Sequence, residues 1–371
     1  MNGIGTLLFI FITKAKAPAY LGRSFAFLAP RVIVINEQGF DFAQGALVFI
    51  GILGMLIAFI IKKFGTKWID IILPPAAMGS VVSLIGFELV GLTIKGGAIG
   101  ANIISNSFDI KHLIVFLITL LSAIFGSLLF KKFLVTIPIL IAISIGYLSA
   151  VMLGMVDFSS VLKAPLFTIP EFSFAKFSLS SFITMLPVIL VITSEHISHQ
   201  VVTSNIIGKD LIKDPGLHRS IFADNFSTAL SGLIGGVPTT TYGENIGVMA
   251  ITKVYATSVI AGAAIISIIM SFIGPISELI RTIPGDVIGG VTFLLYGMIG
   301  TSGLRLLVDS KVDYSKTKNL ILTSIIFTTG LSGLKVDVGA IQLSGMVLAS
   351  VVALLLSISI YLIEKVRKSE S

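Results

Sequence analysis

The chain has 371 residues, of which 55% are hydrophobic and 12% charged, and its mean hydropathy is +1.02. These values lie outside the range of soluble globular domains and are typical of a chain that crosses a bilayer repeatedly. The absence of cysteine excludes disulfides, thiolate metal sites and cysteine nucleophiles, and four histidines are too few for most metal sites. The net charge of +7 fits loops enriched in Lys and Arg on one side of a membrane better than a nucleic-acid-binding surface.

Apolar runs of about 17 to 25 residues, punctuated by Gly, Pro and charged clusters, predict thirteen membrane spans. In the first half of the chain these lie at 3–13, 18–36, 44–61, 68–94, 113–130 and 133–156. In the second half they lie at 181–202, 217–236, 238–252, 255–280, 284–304, 317–334 and 341–364. The predicted domains are an N-terminal repeat over 1–156, an extracytoplasmic connection over 157–180 and a C-terminal repeat over 181–371.

Lys and Arg concentrate in alternate loops, and the richer side is expected to be cytoplasmic. The C-terminus is therefore predicted to be cytoplasmic and Met1 to lie outside. Because the first span is short and no basic residue precedes it, we expect an upstream apolar span to be missing and Met1 to be an internal start codon. Without that helix, the chain is expected to be unstable or inactive.

Two predicted spans are broken in a similar way. The span 18–36 contains Ser24-Phe25-Ala26-Phe27 before Ala29-Pro30, and the span 238–252 begins with a Thr-rich stretch before Glu244. Each is a β-prone segment that leads into a half-length helix. Extended backbone at membrane depth requires partners from protein or a cavity, so two breaks at corresponding places predict a central binding site and an inverted repeat.

The candidate acidic and histidine side chains lie in the second half of the chain. Glu195 is deep within the predicted span 181–202, and a carboxylate in that position indicates function. His199 lies one helical turn later on the same face, so the two residues can pass a proton, whereas His196 points about 100° away. A structural Glu–His pair is the alternative, and a metal site lacks a third ligand. Glu244, at the start of a half-helix, is placed where the positive end of the helix dipole stabilises its charge.

A flat ligand with adjacent N–H donors and C=O acceptors fits two such carboxyl groups, and uracil is a ligand of this kind. Phe25, Phe27 and Tyr242 are candidates for walls against its ring, although aromatic residues at such positions are as often simple packing.

One motif carries a family resemblance. Glu244-Asn245-Ile246-Gly247-Val248-Met249-Ala250-Ile251-Thr252-Lys253 resembles the diagnostic motif of the nucleobase–ascorbate transporters, in which an acidic or amide residue, Asn, Gly, Thr and a basic residue recur at this spacing. The motif positions are Glu244, Asn245, Gly247, Thr252 and Lys253. Four further stretches are similar to the uracil branch of that family, namely Glu195-His196 with His199, Lys213 to Ser220, Thr241-Tyr242-Gly243, and Pro18 to Gly22 with Ser24 to Phe27.

The resemblance covers essentially the whole chain and implies an all-α membrane protein of two inverted seven-helix repeats, here without the first helix and with two short strands in the broken spans. It implies that Glu195 and Glu244 hold the nucleobase by their side chains and that Phe25 and Gly243 contribute backbone groups. It also implies that His199 assists Glu195 in proton coupling and that the protein is a homodimer. Arg23 and Arg31 depart from the small or apolar residues usual there, and a guanidinium near the site could alter ligand choice.

The predicted function is proton-coupled uptake of uracil or a related nucleobase across the cytoplasmic membrane. The alternatives are a truncated binding remnant that does not transport and an anion transporter of related fold. An enzyme is not expected, because the sequence offers no nucleophile–base set, metal cluster or phosphate loop. No cofactor is implied, and the expected partners are the nucleobase, the proton and the lipid bilayer.

Overall fold

The computed structural model describes residues 1–96, 109–338 and 341–370. Helices dominate it, as the hydropathy predicts. The elements of the first half are α1 (Asn2–Ile12), β1 (Leu21–Arg23), α2 (Leu28–Gln38), α3 (Phe40–Phe64), α4 (Lys67–Ile72), α5 (Pro75–Gly96), α6 (Ile110–Leu129) and α7 (Pro138–Met152). Short 3₁₀ turns at Phe25–Phe27 and Lys132–Thr136 precede α2 and α7.

The second half begins with α8 (Ser159–Lys163) in the predicted connection. It continues with α9 (Leu179–Met185), α10 (Val188–Ile207), α11 (Leu217–Leu233), β2 (Thr239–Thr241), α12 (Gly243–Thr252), α13 (Thr257–Met270) and α14 (Gly274–Arg281). It ends with α15 (Gly285–Asp309), α16 (Thr317–Leu331), β3 (Lys335–Val338), β4 (Ile341–Ser344) and α17 (Gly345–Glu370).

Several of the described helices can cross a bilayer on length and composition. These are Phe40–Phe64, Ile110–Leu129, Gly285–Asp309 and Gly345–Arg367. The pair α9 and α10 forms a further candidate span, bent by 42°. α1, α7 and α13 are shorter apolar helices, and the total of thirteen crossings stays a prediction. The chain is nevertheless a multi-pass membrane protein, because several apolar spans recur along it.

The two broken spans are confirmed as strand–helix units. β1 leads through the 3₁₀ turn into α2, and β2 leads directly into α12. The strands pair antiparallel, with Gly22 opposite Thr240 and Leu21 opposite Thr241. Two segments that lie more than 200 residues apart in sequence therefore meet in one small sheet. Each strand supplies hydrogen-bond partners for backbone N–H and C=O groups of the other.

The helices pack as two bundles in contact with each other. One contains α1 to α3 with α9 to α13, where α3 packs along α11 and α1 packs against α13. The other contains α5 to α7 with α15 to α17, where α5 packs along α15. The α5–α15 contact depends on small residues: a Cβ atom at Gly86 would lie 2.2 Å from the backbone nitrogen of Gly300. In the same bundle, His112 Nδ1 of α6 lies 2.6 Å from Asp286 Oδ2 of α15.

Two predicted spans are wrong in detail. The span 255–280 divides into α13 and α14, because residues of the connection 157–180 pack against the break between these two helices. Thr168 N–H donates to the Phe272 carbonyl at 2.9 Å, and the rings of Phe167 and Phe272 stack at 5.7 Å. The span 341–364 starts with β4, which pairs antiparallel with β3, so the helix begins only at Gly345. The fold therefore contains a second pair of strands, β3 and β4, in addition to the predicted pair.

The predicted bend near Pro74 and Pro75 is confirmed. α4 ends at Ile72 and α5 begins at Pro75, where a proline fits the first turn of a helix because its missing N–H has no intrahelical partner. Leu73 and Pro74 form the break between them.

Candidate functional site

The sheet of β1 and β2 is held in place by side chains and backbone groups around its edges. Leu21 N–H donates to Thr6 Oγ1 of α1 at 2.9 Å, and Ser24 N–H donates to the Pro238 carbonyl at 2.9 Å. Both strands are almost entirely buried. Extended backbone inside a membrane protein is stable only when its polar groups are paired in this way.

β2 is also fastened to α11. Thr228 Oγ1 donates to the Thr239 carbonyl at 2.8 Å and accepts from Thr239 N–H at 3.1 Å. Thr239 Oγ1 donates to Ser227 Oγ at 2.8 Å. Hydroxyl groups on α11 thus fix the position of the strand that precedes Gly243 and Glu244.

Glu195 lies on α10 and is half-buried. Its Oε2 atom is buried and has no hydrogen-bond partner among the residues that the structure describes. The carboxyl group is within electrostatic range of Asp224 on α11 and Glu244 on α12. Three acidic side chains from three helices of one bundle therefore converge on one region.

His199 lies one turn after Glu195, as predicted, and faces the strand–helix junction. Its Nδ1 atom is hydrogen-bonded to Thr241 Oγ1 at 2.9 Å, so this ring nitrogen is bound to the strand β2 and not to Glu195. A Cβ atom at Gly243 would lie 3.2 Å from His199 Nε2, so the ring lies directly over the first residue of α12. The imidazole therefore links α10 to both β2 and α12.

His196 belongs to a buried pair that the sequence reasoning missed. Its Nδ1 atom lies 3.0 Å from Asp224 Oδ2, and the two side chains are 1% and 4% exposed. Thr240 Oγ1 donates to the same carboxyl oxygen at 3.4 Å. The sequence did contain one signal for this pair, namely Asp224-Asn225 in the middle of the predicted span 217–236. Burying such polar residues in a membrane span costs free energy unless they have partners, so their presence indicates a partner on another helix.

The residues of the motif have different surroundings. Glu244 is in the first turn of α12 with an exposed side chain, and its carboxylate accepts from its own backbone N–H. Asn245 is half-buried, and a Cβ atom at Gly247 would meet nothing within 4 Å. Thr252 Oγ1 donates to the Val248 carbonyl at 2.9 Å and accepts from Val254 N–H at 3.3 Å, which completes the end of α12.

Aromatic side chains form a wall beside the sheet. The Phe25 ring makes edge contacts with Tyr242, at 6.4 Å between centroids, and with Tyr296 of α15, at 5.6 Å. Tyr242 lies against Gly22 of β1 so closely that a Cβ atom there would overlap its ring. Tyr296 was not predicted, because nothing in the local sequence of α15 marks it as different from a packing residue.

Phe27 and Arg31 lie outside this wall. Phe27 is fully buried in the hydrophobic core, which is the packing alternative for that residue. Arg31 lies over the Phe40 ring, with its guanidinium carbon 5.1 Å from the centroid. Arg23 in contrast is exposed, lies 5.2 Å from the Phe25 ring centroid, and is within electrostatic range of Tyr242 and Tyr296.

The arrangement combines acidic groups, helix N-termini and aromatic faces at the junction of two half-spans. Carboxyl groups and free backbone N–H groups can hold a polar ring by its edge, while aromatic faces and edges hold its plane. Within the described residues, no three His, Asp or Glu side chains are grouped so as to hold a metal ion.

The fold is that of a helical membrane protein in which two discontinuous spans meet, with the candidate site at their junction. The model of the family described as "Permease family" (Xan_ur_permease) matches residues 1–339. The chain belongs to this permease family, which confirms the resemblance to the nucleobase–ascorbate transporters and makes it a transporter and not an enzyme.

Curated relatives agree with this assignment. The chain is 49% identical to a protein named uracil permease from Escherichia coli (strain K12), covering 100% of this chain and 86% of the relative. It is 47% identical to the uracil permease of Paenibacillus larvae, covering 100% of this chain and 88% of the relative. It is 44% identical to that of Bacillus subtilis (strain 168), covering 96% and 84%.

A solved structure shares the fold at low sequence identity. The transmembrane domain of a cyanobacterium bicarbonate transporter matches with a TM-score of 0.63 and 15% identity, covering 96% of this chain and 89% of that one. This likeness confirms the helical membrane fold and says nothing about the substrate.

Proposed function

We propose that the protein takes up uracil or a closely related nucleobase across the cytoplasmic membrane together with a proton. The observation that carries the proposal is the convergence of Glu195 and Glu244 beside the aromatic wall of Phe25 and Tyr242. Relatives up to 49% identical that are named uracil permease support the choice of substrate.

The nucleobase would lie with its polar edge toward the acidic groups. Glu244 would accept a ring N–H, and Glu195, when protonated, would donate to a ring carbonyl. Phe25 and Gly243 are the first residues of their helical segments, so their backbone N–H groups have no intrahelical partner and would bind the remaining acceptors. Tyr242 would border the ring.

The proton would be carried by Glu195. Its Oε2 atom is buried without a partner, so a proton or a ligand donor on that atom removes the cost of an unpaired buried oxygen. His199 would assist the transfer, since it lies one turn away and its Nδ1 is engaged by Thr241. Protonation and nucleobase binding at the same group would then favour one another.

Transport would follow from movement of one bundle against the other. We propose that α1 to α3 and α9 to α13 form a core domain that carries the substrate, and that α5 to α7 and α15 to α17 form a gate domain. The two domains would combine an N-terminal repeat (1–156) and an inverted C-terminal repeat (181–371), joined by the connection 157–180. A cytoplasmic C-terminus, an inner-membrane location and a homodimer complete the proposal.

The proposal is tested with purified protein in proteoliposomes. Uptake of labelled uracil should rise when the outside is made acidic and should be abolished by a protonophore. Uptake that ignores an imposed pH gradient would contradict proton coupling. Competition by xanthine, uric acid and thymine would then define the range of bases.

Variants of the acidic residues test the site separately from transport. Glu244→Gln and Glu195→Ala should each abolish uracil binding, because the first replaces a charged acceptor by a weaker neutral amide and the second leaves a ring carbonyl without its donor. Glu171→Gln, at an exposed position of the connection, is the matched control and should bind as the unaltered protein does. Retained affinity in either site variant would remove that residue from the site.

Anion transport is a second candidate, favoured by the exposed Arg23 beside the aromatic wall. Chloride or bicarbonate flux that is lost in Arg23→Gln would support it. Two carboxyl groups at the same site disfavour it, since they repel an anion.

A further inference from the structure

A cavity of about 660 Å³ lies beyond the ends of α1, α10 and α12. Its lining includes Lys16, Pro18, Lys209, Asp210, Lys213 and Thr257. None of the residues that line it belongs to the proposed substrate site. Its volume is within the range of pockets that hold small organic ligands, and it exceeds what a bare ion requires.

Only some of the charged side chains that line this cavity have a partner of opposite charge. Lys16 is paired with Asp214, with Nζ 2.7 Å from both carboxyl oxygens. Asp210 accepts the backbone N–H groups of Ile212 and Lys213 at 3.1 Å. Among the described residues, Lys209, Lys213 and Asp210 have no ion-pair partner. The three lysines of the lining outnumber its two aspartates, so the cavity carries a net positive charge and two exposed ammonium groups remain available.

The first turn of α13 adds to the positive character. Ala256 and Thr257 line the cavity, the helix runs for 14 residues, and it has neither a capping side chain nor an acidic residue in its first turn. Its free N–H groups and positive dipole end thus face the same space as the lysines, which favours an anion.

Exposed apolar side chains lie close in sequence to the residues that line the cavity. Phe11, in the last turn of α1, is 81% exposed, and Val259, in the first turn of α13, is 56% exposed. α1 and α13, the helices that carry these side chains, pack against each other. A basic cavity beside an apolar, membrane-facing surface is the place where a phospholipid headgroup meets a helical protein.

We propose that this cavity binds a phosphate group, supplied by the headgroup of an anionic phospholipid. Lys209 and Lys213 contact the phosphate oxygens, and the first turn of α13 donates backbone N–H groups to them. The acyl chains continue along the apolar surface beside Phe11 and Val259. A soluble phosphate ester has the same headgroup chemistry without the chains, so the two sources can be separated experimentally.

The position of the cavity couples it to transport. Three connections form its wall: the segment after α1 that leads to β1, the segment after α10 and the segment after α12. α10 carries Glu195 and His199, β1 leads to Phe25, and α12 carries Glu244. A bound headgroup therefore braces the ends of the elements that carry the acidic and aromatic groups.

Binding is measured on the full chain purified in a neutral detergent. Dioctanoyl phosphatidylglycerol should raise the unfolding temperature, and dioctanoyl phosphatidylcholine, whose headgroup is neutral overall, should not. In the soluble arm, inorganic phosphate and glycerol phosphate are titrated alone. Stabilisation by phosphatidylglycerol at concentrations where glycerol phosphate has no effect identifies the lipid source, whereas equal stabilisation by both assigns the site to a soluble phosphate ester.

The matched variants are Lys209→Gln with Lys213→Gln, and Lys62→Gln with Lys63→Gln as exposed controls at the end of α3. The first pair should weaken phosphatidylglycerol binding by about tenfold or more, equivalent to about 1.4 kcal/mol. The control pair and the charge-preserving pair Lys209→Arg with Lys213→Arg should bind as before. No stabilisation by any phosphate probe, or equal loss in the control pair, would overturn the proposal.

Discussion

At the scale of single residues, a buried His–Asp pair next to the candidate site is the feature most exposed to mutation. His196 and Asp224 are almost completely inaccessible and face each other across α10 and α11. Within the described part of the chain, His196 Nε2 and Asp224 Oδ1 have no hydrogen-bond partner, so the hydrogen-bonding capacity of the pair is not fully used. Removing one partner of such a pair leaves the other unpaired in a low-dielectric interior. The resulting loss of folding free energy is far larger than the loss on breaking an exposed pair.

We expect Asp224→Leu to destabilise the protein by about 3 kcal/mol or more, because it leaves the imidazole N–H without an acceptor. Asp224→Asn, which keeps an acceptor oxygen, should cost less. Thermal unfolding in detergent measures both.

The control is Asp309→Leu, which breaks the ion pair between Asp309 and Arg305. The side chain of Arg305 is 81% exposed and that of Asp309 is 60% exposed. Such exposed pairs contribute less than about 1 kcal/mol. A shift for Asp224→Leu no larger than that of the control would show that the buried pair does not stabilise the bundle.

At the scale of elements, the small sheet is the point where two distant segments depend on each other. β1 and β2 have only three residues each, too few for an isolated pair to be stable in water. Their stability comes from the surrounding helices, through Thr6 of α1 and Thr228 of α11. The junctions that present Phe25 and Gly243 therefore depend on hydroxyl groups outside the broken spans.

Thr228→Val tests this dependence, because the two side chains have nearly the same shape. The variant removes an acceptor for Thr239 N–H and a donor to its carbonyl, so we expect a loss of about 1 to 3 kcal/mol of stability. Uracil affinity should fall as well, because β2 positions the start of α12.

Thr301→Val is the matched control, since Thr301 is exposed and its hydroxyl bonds only within its own helix. It should alter neither stability nor affinity. Unaltered uracil affinity in a folded Thr228→Val protein would contradict the role of α11 in positioning the site.

At the scale of the whole molecule, the two bundles meet at contacts that a relative movement would have to break. One such contact joins α5 to α10, where Ser198 Oγ lies 3.9 Å from Met78 Sδ. The chain has no cysteine, so introduced cysteines can be cross-linked without a background reaction.

We expect a short thiol cross-link between Met78→Cys and Ser198→Cys to abolish uptake while uracil binding persists. Fixing one bundle to the other would prevent the change between outward and inward access without altering the acidic groups. Uptake in proteoliposomes, measured before and after release of the cross-link, checks this.

A pair within one bundle provides the control. Tyr147 Oη of α7 lies 2.6 Å from Thr282 Oγ1, in the short connection that leads from α14 into α15, and α7 and α15 belong to the same bundle. Cross-linking Tyr147→Cys to Thr282→Cys should leave uptake unchanged. Equal inhibition by both cross-links would indicate that the protein is impaired in general and that the bundles need not move.

The sequence by itself determined the membrane class, the positions of most helices and the two strand–helix breaks. It did so because these features are encoded locally, in the length of apolar runs and in Gly, Pro and β-prone segments. Glu195, His199 and Glu244 became candidates for a related reason, since an ionisable group in an apolar run is visible without knowledge of its neighbours.

Only the tertiary structure decided which distant groups meet. The pairing of His196 with Asp224, the contact of Tyr296 with Phe25 and the antiparallel register of β1 and β2 join residues whose local sequences give no sign of one another. The division of the span 255–280 has the same origin, because Thr168 from the connection binds the Phe272 carbonyl at the break. Buried polar groups must find partners wherever the fold supplies them, and that supply depends on how helices pack, which hydropathy does not specify.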